Sequence, residues 1–332
     1  MAVPLILGAV AAGTALYGAY KGVSGAIDQS NASDINKEAS AIVDKANREV
    51  DIQRQSTSDI LEEYGKRKLR AFESVIEDFL MTFGRLKNVE LVGSPELEKL
   101  KMDDFSNKTL AGLRGDYQAL KDAGLGLGAG VSSGAALAFG AYNGTMMLAT
   151  ASTGTAISSL GGAAATNATL AWLGGGSLAA GGGGMALGTM VLGGIVAGPA
   201  LAIFGHIMGN KGEEALNNAR SNLEQAKTIQ EEAKLVVTSL DAIEQVTILA
   251  DTTFSRLNRE LRRAVQSLDD VIDTYGEDFE AFTQDSREVV FKTVKYAQLI
   301  KAMIDTPILD TDGKLVLSTQ KRVTEIAKAI NA

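Results

Sequence analysis

The stretch ADTTFSRLNRELRRAVQSLDDVIDTY, residues 250–275, decides the fold. Ala250, Phe254, Leu257, Leu261, Ala264, Leu268, Val271 and Tyr275 recur at alternating steps of four and three. That alternation is the heptad seam of a helix packed against another helix. Upstream, Leu216, Ala219, Leu223, Ala226, Ala233, Val237 and Leu240 follow the same rule and join the later set after a one-step slip. The spacing predicts one helix over 211–275, about 95 Å long at 1.5 Å per residue.

A second long helix is expected from Ser33 to about Val92. Ser33 or Asp34 would cap its start. Ile60, Leu61, Tyr64, Leu69, Phe72, Val75, Ile76, Phe79, Leu80 and Phe83 form one apolar face. The two helices match in length, and an antiparallel pairing is the expected arrangement. Ser94-Pro95 marks a break, and a shorter helix follows over about Asn107–Lys121. Beyond Gly276, helices are expected over Ser286–Ile304 and Thr319–Ile330. Between them Asp312-Gly313 reads as the turn of a small β-hairpin. The fold class is therefore all-α, with long antiparallel coiled-coil helices, a Gly/Ala-rich apolar helical hairpin region and one small C-terminal β-hairpin. The chain divides into regions 1–23, 24–122, 123–210, 211–275 and 276–332.

Region 123–210 separates this chain from an ordinary bundle. Its 88 residues contain no Asp, Glu, Lys or Arg and hold 23 of the 36 glycines. Polar or glycine punctuation divides it into Gly124–Ala151, Thr155–Leu173 and Leu178–Met208, each near or above the ~20 residues that cross a bilayer core. Glycines recur four apart at Gly126, Gly130 and Gly134, and again as Gly140/Gly144, Gly184/Gly188, Gly194/Gly198 and Gly205/Gly209. Such pairs share a helix face and let two backbones approach, whereas in a free helix each glycine costs about 1 kcal/mol relative to alanine. These glycines are the candidate packing sites, with Trp172 a candidate interfacial anchor or core residue. Interspersed Ser, Thr and Asn make the stretches only moderately apolar, so insertion should be marginal and triggered. Basic residues at both ends (Lys108, Arg114 and Lys121, then Lys211 and Arg220) favour an even number of crossings. Val3–Tyr20 is a shorter apolar run with no basic residue before Lys21, and a retained helix is expected there rather than a leader.

Chemistry is sparse. With no cysteine, thiolate catalysis and disulfides are excluded. A net charge of −8 without a basic cluster argues against nucleic-acid binding. The lone histidine, His206, lies in an apolar run without neighbouring carboxylates, so a structural role is expected. GLGLGAG at 124–130 and GHIMGNKG at 205–212 lack the spacing of dinucleotide and phosphate loops. DTDG at 310–313 lacks the further ligands of a calcium loop. No catalytic residue, metal ligand or cofactor is expected.

The segment GGAAATNATLAWLGGGSLAAGGGGMALGTMVLGGIVAGPALAI, residues 161–203, resembles the hydrophobic region of apolipoprotein-L-like proteins. The long amphipathic flanks resemble helical pore-forming toxins of the cytolysin A and haemolysin BL type. The resemblance covers about residues 33–275 and is architectural, so no functional residue is carried over. It implies an apolar hairpin sheltered in a soluble form and inserted on assembly. The expected function is a non-enzymatic, membrane-inserting protein acting as a homo-oligomer on a lipid membrane, as toxin or defence effector. It would be membrane-associated, with a cytoplasmic soluble form first. Two other readings stay open: a permanently anchored coiled-coil scaffold, and a soluble helical protein that binds a coiled-coil partner through 211–275.

Overall fold

A computed structural model describes residues 24–89, 105–122, 136, 139–141, 213–310 and 314–331. The described elements are helical. Helix α1 (Ser24–Ala71) passes through a π-helical turn (Phe72–Ile76) into α2 (Glu77–Gly84). Helix α3 (Phe105–Asp122) follows, then α4 (Glu213–Tyr275), a 3-10 turn (Phe279–Ala281), α5 (Gln284–Ile304) and α6 (Thr319–Ala329). Among them no helix is long and apolar enough to cross a membrane. Apart from Ala136 and Phe139–Ala141, region 123–210 lies outside the described residues, as do 1–23 and the Ser94-Pro95 break.

The seam of α4 is more regular than the apolar letters indicate. Leu240, Ile243, Thr247, Ala250, Phe254, Leu257, Leu261, Ala264 and Leu268 are all buried at alternating steps of three and four, so the expected slip does not exist. Thr247 hides the continuity because it is polar. Its hydroxyl donates to the Ile243 carbonyl at 2.7 Å and so sits in the seam without an unpaired donor. At the far end the buried position is Ile272, not Val271, and Tyr275 is half exposed. There the helix packs on Phe279 and Phe282 of the turn that follows and on Val290 of α5, which moves the buried face by one residue. Gly276 ends the helix with φ of +85°, the left-handed conformation glycine adopts without strain, and its N–H donates to Ile272 O at 2.8 Å.

The pairing of α1 with α4 is parallel, which corrects the antiparallel expectation. Asn222 donates to Asn36 (3.0 Å), Gln53 to Glu244 (2.8 Å), Arg67 to Asp251 (2.5 Å) and Arg85 to Asp269 (2.6 Å). Partner numbers rise together, with an offset that stays between 184 and 191. In an antiparallel pair the sum, not the difference, would stay constant. A heptad specifies which face is buried but not the direction of the partner, so periodicity alone could not decide it. Helix α1 also starts earlier than expected, at Ser24, which places Ser33 and Asp34 inside the helix and not at its cap.

Among the described residues the first halves of α1 and α4 form a two-helix stalk. Ala39 and Val43 pack on Ala226 and Ile229, then Ala46 and Val50 on Ala233. Their second halves enter a thicker bundle. There α5 returns antiparallel along α4, with the Thr293 hydroxyl on the Ala264 carbonyl at 3.2 Å, and Thr283 caps α5 by accepting from Ser286 N–H. The core holds Phe254, Leu257, Leu261, Phe79, Ile300, Met303 and Val323. Phe254 is fully buried, with Tyr64 edge-on at 6.1 Å. Phe254→Ala should therefore cost about 3–5 kcal/mol and lower the melting temperature clearly, whereas Tyr275→Ala at a half-exposed site should be nearly silent. Thermal melts of the two variants side by side check this.

The expected C-terminal hairpin is reduced to one antiparallel bridge, Leu309 to Leu315, with Val316 N–H on Ile308 O at 2.9 Å. Its turn residues 311–313 lie outside the described set. Asp310 N–H donates to Lys314 O at 2.9 Å, but the ladder does not run on past Ile308, whose N–H points with that of Leu309 at the Ala141 carbonyl.

Candidate functional site

That Ala141 carbonyl belongs to a short helical piece of the apolar region, and the way the bundle holds it defines the site. Leu61, Gly65, Lys68 and Phe72 follow at steps of four, three and four, one face of α1 and of the π-helical turn that continues it. Residues Ala136 and Phe139–Ala141 lie on that face and are buried.

The closest approach is between two glycines. A Cβ on Gly65 would lie 1.7 Å from the Ala136 oxygen, and one on Gly140 would lie 1.9 Å from the Leu61 oxygen. Backbone thus rests on backbone, and no rotamer change could make room for a side chain on either residue. Gly140 is one of the glycines singled out by its four-residue spacing. Gly126, Gly130, Gly134, Gly144, Gly184, Gly188, Gly194, Gly198, Gly205, Gly209 and Trp172 lie outside the described residues.

Two further contacts secure the piece. Phe139 places its ring against Phe72, edge-on at 6.2 Å. Its carbonyl accepts from the Lys68 ammonium group at 3.2 Å. The Ala141 carbonyl accepts from both Ile308 N–H (2.8 Å) and Leu309 N–H (2.9 Å). These two carbonyls accept from α1 and from the segment after α5, so the apolar piece is fastened from two sides.

Lys68 is the unusual group. It is fully buried, with its Nζ 4.4 Å from the Tyr64 ring centre and 5.9 Å from that of Phe139. Burial pushes its pKa down to about 7, while the Asp305 carboxylate pulls the other way. Burial also raises the pKa of Tyr64, and the charge of Asp251 adds to the effect. The π-helical turn begins four residues after Lys68 and allows Ala71, Phe72, Val75 and Ile76 all to be buried. Such turns are often found at functional positions.

A second buried cluster ties α3, the helix leading into the apolar region, to α5. Lys301 Nζ lies 2.9 Å from Asp116 Oδ2 and 2.5 Å from Asp305 Oδ1. Gly112 leaves the space for it, since a Cβ there would stand 3.1 Å from Lys301 Cε. Tyr117 donates to Glu77 at the start of α2. Among the described residues no group of three or more His, Asp or Glu side chains could hold a metal.

Sequence reasoning missed Gly65, Lys68 and Phe139. The available signal was Gly65 itself, a helix-destabilising residue in mid-helix, flanked by strong helix formers. No known protein family matches the chain, and no curated protein or solved structure does either.

Proposed function

We propose that the protein is a non-enzymatic membrane-inserting helical protein, whose bundle shelters the start of an apolar region that lipid later takes up. One observation carries this reading: the described part of the uncharged region, Ala136 and Phe139–Ala141, meets the bundle through glycine backbone contact and carbonyls that accept from α1 and the segment after α5, while the region as a whole has no charge of its own to keep it in water. Contacts of this kind are specific, and lipid can replace them. Glycine faces then pack the inserted helices against one another, in one chain or between copies.

On this reading the protein is first soluble, then membrane-associated, and works as a homo-oligomer that makes membranes leak. Long coiled-coil helices flanking an apolar helical hairpin fit the resemblance to apolipoprotein-L-like and helical pore-forming proteins. Dye-loaded phosphatidylcholine vesicles test the proposal. The full chain should release dye across a range of pH and lipid charge, and a variant lacking 142–208 should not. Retention of dye by wild type under every condition would remove the pore. Retention with firm membrane binding would favour the anchored scaffold instead.

A further inference from the structure

We infer that the protein meets the bilayer end-on, through the tip of the stalk where α1 and α4 both begin. The inference rests on the membrane-inserting reading and adds to it which surface touches lipid.

The parallel register is what carries it. The Asn36–Asn222 hydrogen bond and the packing of Ala39 and Val43 on Ala226 and Ile229 fix the register near the tip. Carried back along both helices, it places the first residues, Ser24 and Glu213, within about 5 Å of each other along the axis. The chain enters α1 from the apolar run Val3–Tyr20, and it enters α4 from the apolar run Gly174–Asn210. Two separate uncharged stretches therefore feed into one end of the molecule. An antiparallel pair would have sent them to opposite ends, roughly 90 Å apart.

Each run is followed in sequence by a lysine, Lys21 and Lys211. A lysine whose stem lies along apolar surface and whose ammonium reaches the headgroups is the usual flank of a membrane-entering segment. The opposite end has the reverse character. There Arg85 pairs with Asp269 (2.6 Å) and Asp273 (2.9 Å), and Lys87 with Glu277 (3.0 Å), all of them solvent-accessible. A bilayer would have to desolvate that network, so the lipid-facing end is the stalk tip. Gly140 docks opposite Leu61 and Gly65, about 55 Å below the tip, beyond the ~30 Å of a bilayer core. The stretch around it stays outside the bilayer while it is docked.

Because the chain has no cysteine, single-cysteine labelling tests this cleanly. Ser33→Cys and Asn217→Cys place a fluorophore near the tip, and Ser267→Cys places one about 75 Å away at the other end; all three positions are exposed. The full-length variants are bound to phosphatidylcholine vesicles carrying a nitroxide on the headgroup and floated on a density gradient. Quenching should be several-fold stronger at residues 33 and 217 than at 267. Equal quenching at all three, or stronger quenching at 267, in protein that floats would overturn end-on contact while leaving the membrane reading intact. Protein that never floats would remove both.

Discussion

Replacing Gly65 by leucine should detach the apolar piece from the bundle without unfolding α1. The obstruction is backbone on both sides: the Ala136 carbonyl sits where the new Cβ must go, and the Gly140 nitrogen lies 2.7 Å from that point. A clash with a flexible side-chain end can be relieved by a rotamer change, but one with helical backbone requires the helices to separate. The contacts then lost are the Phe139–Phe72 packing and the Lys68 hydrogen bond to Phe139 O. Exposing a buried phenylalanine of this kind costs about 1.5–3 kcal/mol. Hydrogen exchange should show loss of protection at Phe139–Ala141, with α4 protection near Leu257 kept. Gly140→Leu should give the same pattern from the other side. Gly84→Leu and Gly115→Leu are the controls, because nothing lies within 4 Å of a Cβ at either position. A Gly65→Leu protein with wild-type protection at Phe139 would show that the crossing does not hold the piece.

The second large effect is on pH dependence, through Lys68. Its pKa is about 7 in the folded protein against 10.5 when exposed. Between those values the unfolded chain binds more protons, so stability rises as pH climbs from about 7 to about 10.5 and is flat below. The gain has a ceiling of about 5 kcal/mol, at 1.36 kcal/mol per pH unit. Lys68→Met keeps the length and removes the titration. Melting temperatures of both proteins at pH 7 and pH 10 should show the wild type gaining on alkalinisation relative to the variant. An identical gain in both would mean that Lys68 is not buried as a neutral amine. Asp116 acts with the opposite sign: burial raises its carboxyl despite Lys301, so it favours the folded state as pH falls.

The long helices were legible because apolar positions at heptad spacing leave few alternatives to helix pairing. Their direction was not, since Ala226, Ala250 and Leu257 satisfy a seam whichever way the partner runs. Direction is set by particular pairs such as Asn36 with Asn222 and Arg85 with Asp269, which only the register reveals. The apparent slip near 240–250 arose from counting only apolar residues, and the buried Thr247 belongs to the seam because its hydroxyl is paired within the helix. Lys68 was invisible for a related reason. In sequence it stands in the charged run KRKLR, where a solvated face is the natural reading, and only the third dimension puts Phe139 and Tyr64 over it. Gly140 was legible as a packing residue by spacing, while its partner Gly65, isolated in a charged helix, had no spacing to betray it.

The central claim is that lipid takes up the uncharged region between Ala123 and Asn210. Flotation of the full chain with phosphatidylcholine vesicles, followed by an alkaline carbonate wash, tests it most directly. The account predicts that wild type stays with the lipid through the wash and that a variant lacking 142–208 is left in the aqueous fraction. Wild type recovered entirely in the aqueous fraction, as a monodisperse protein without detergent, would contradict it.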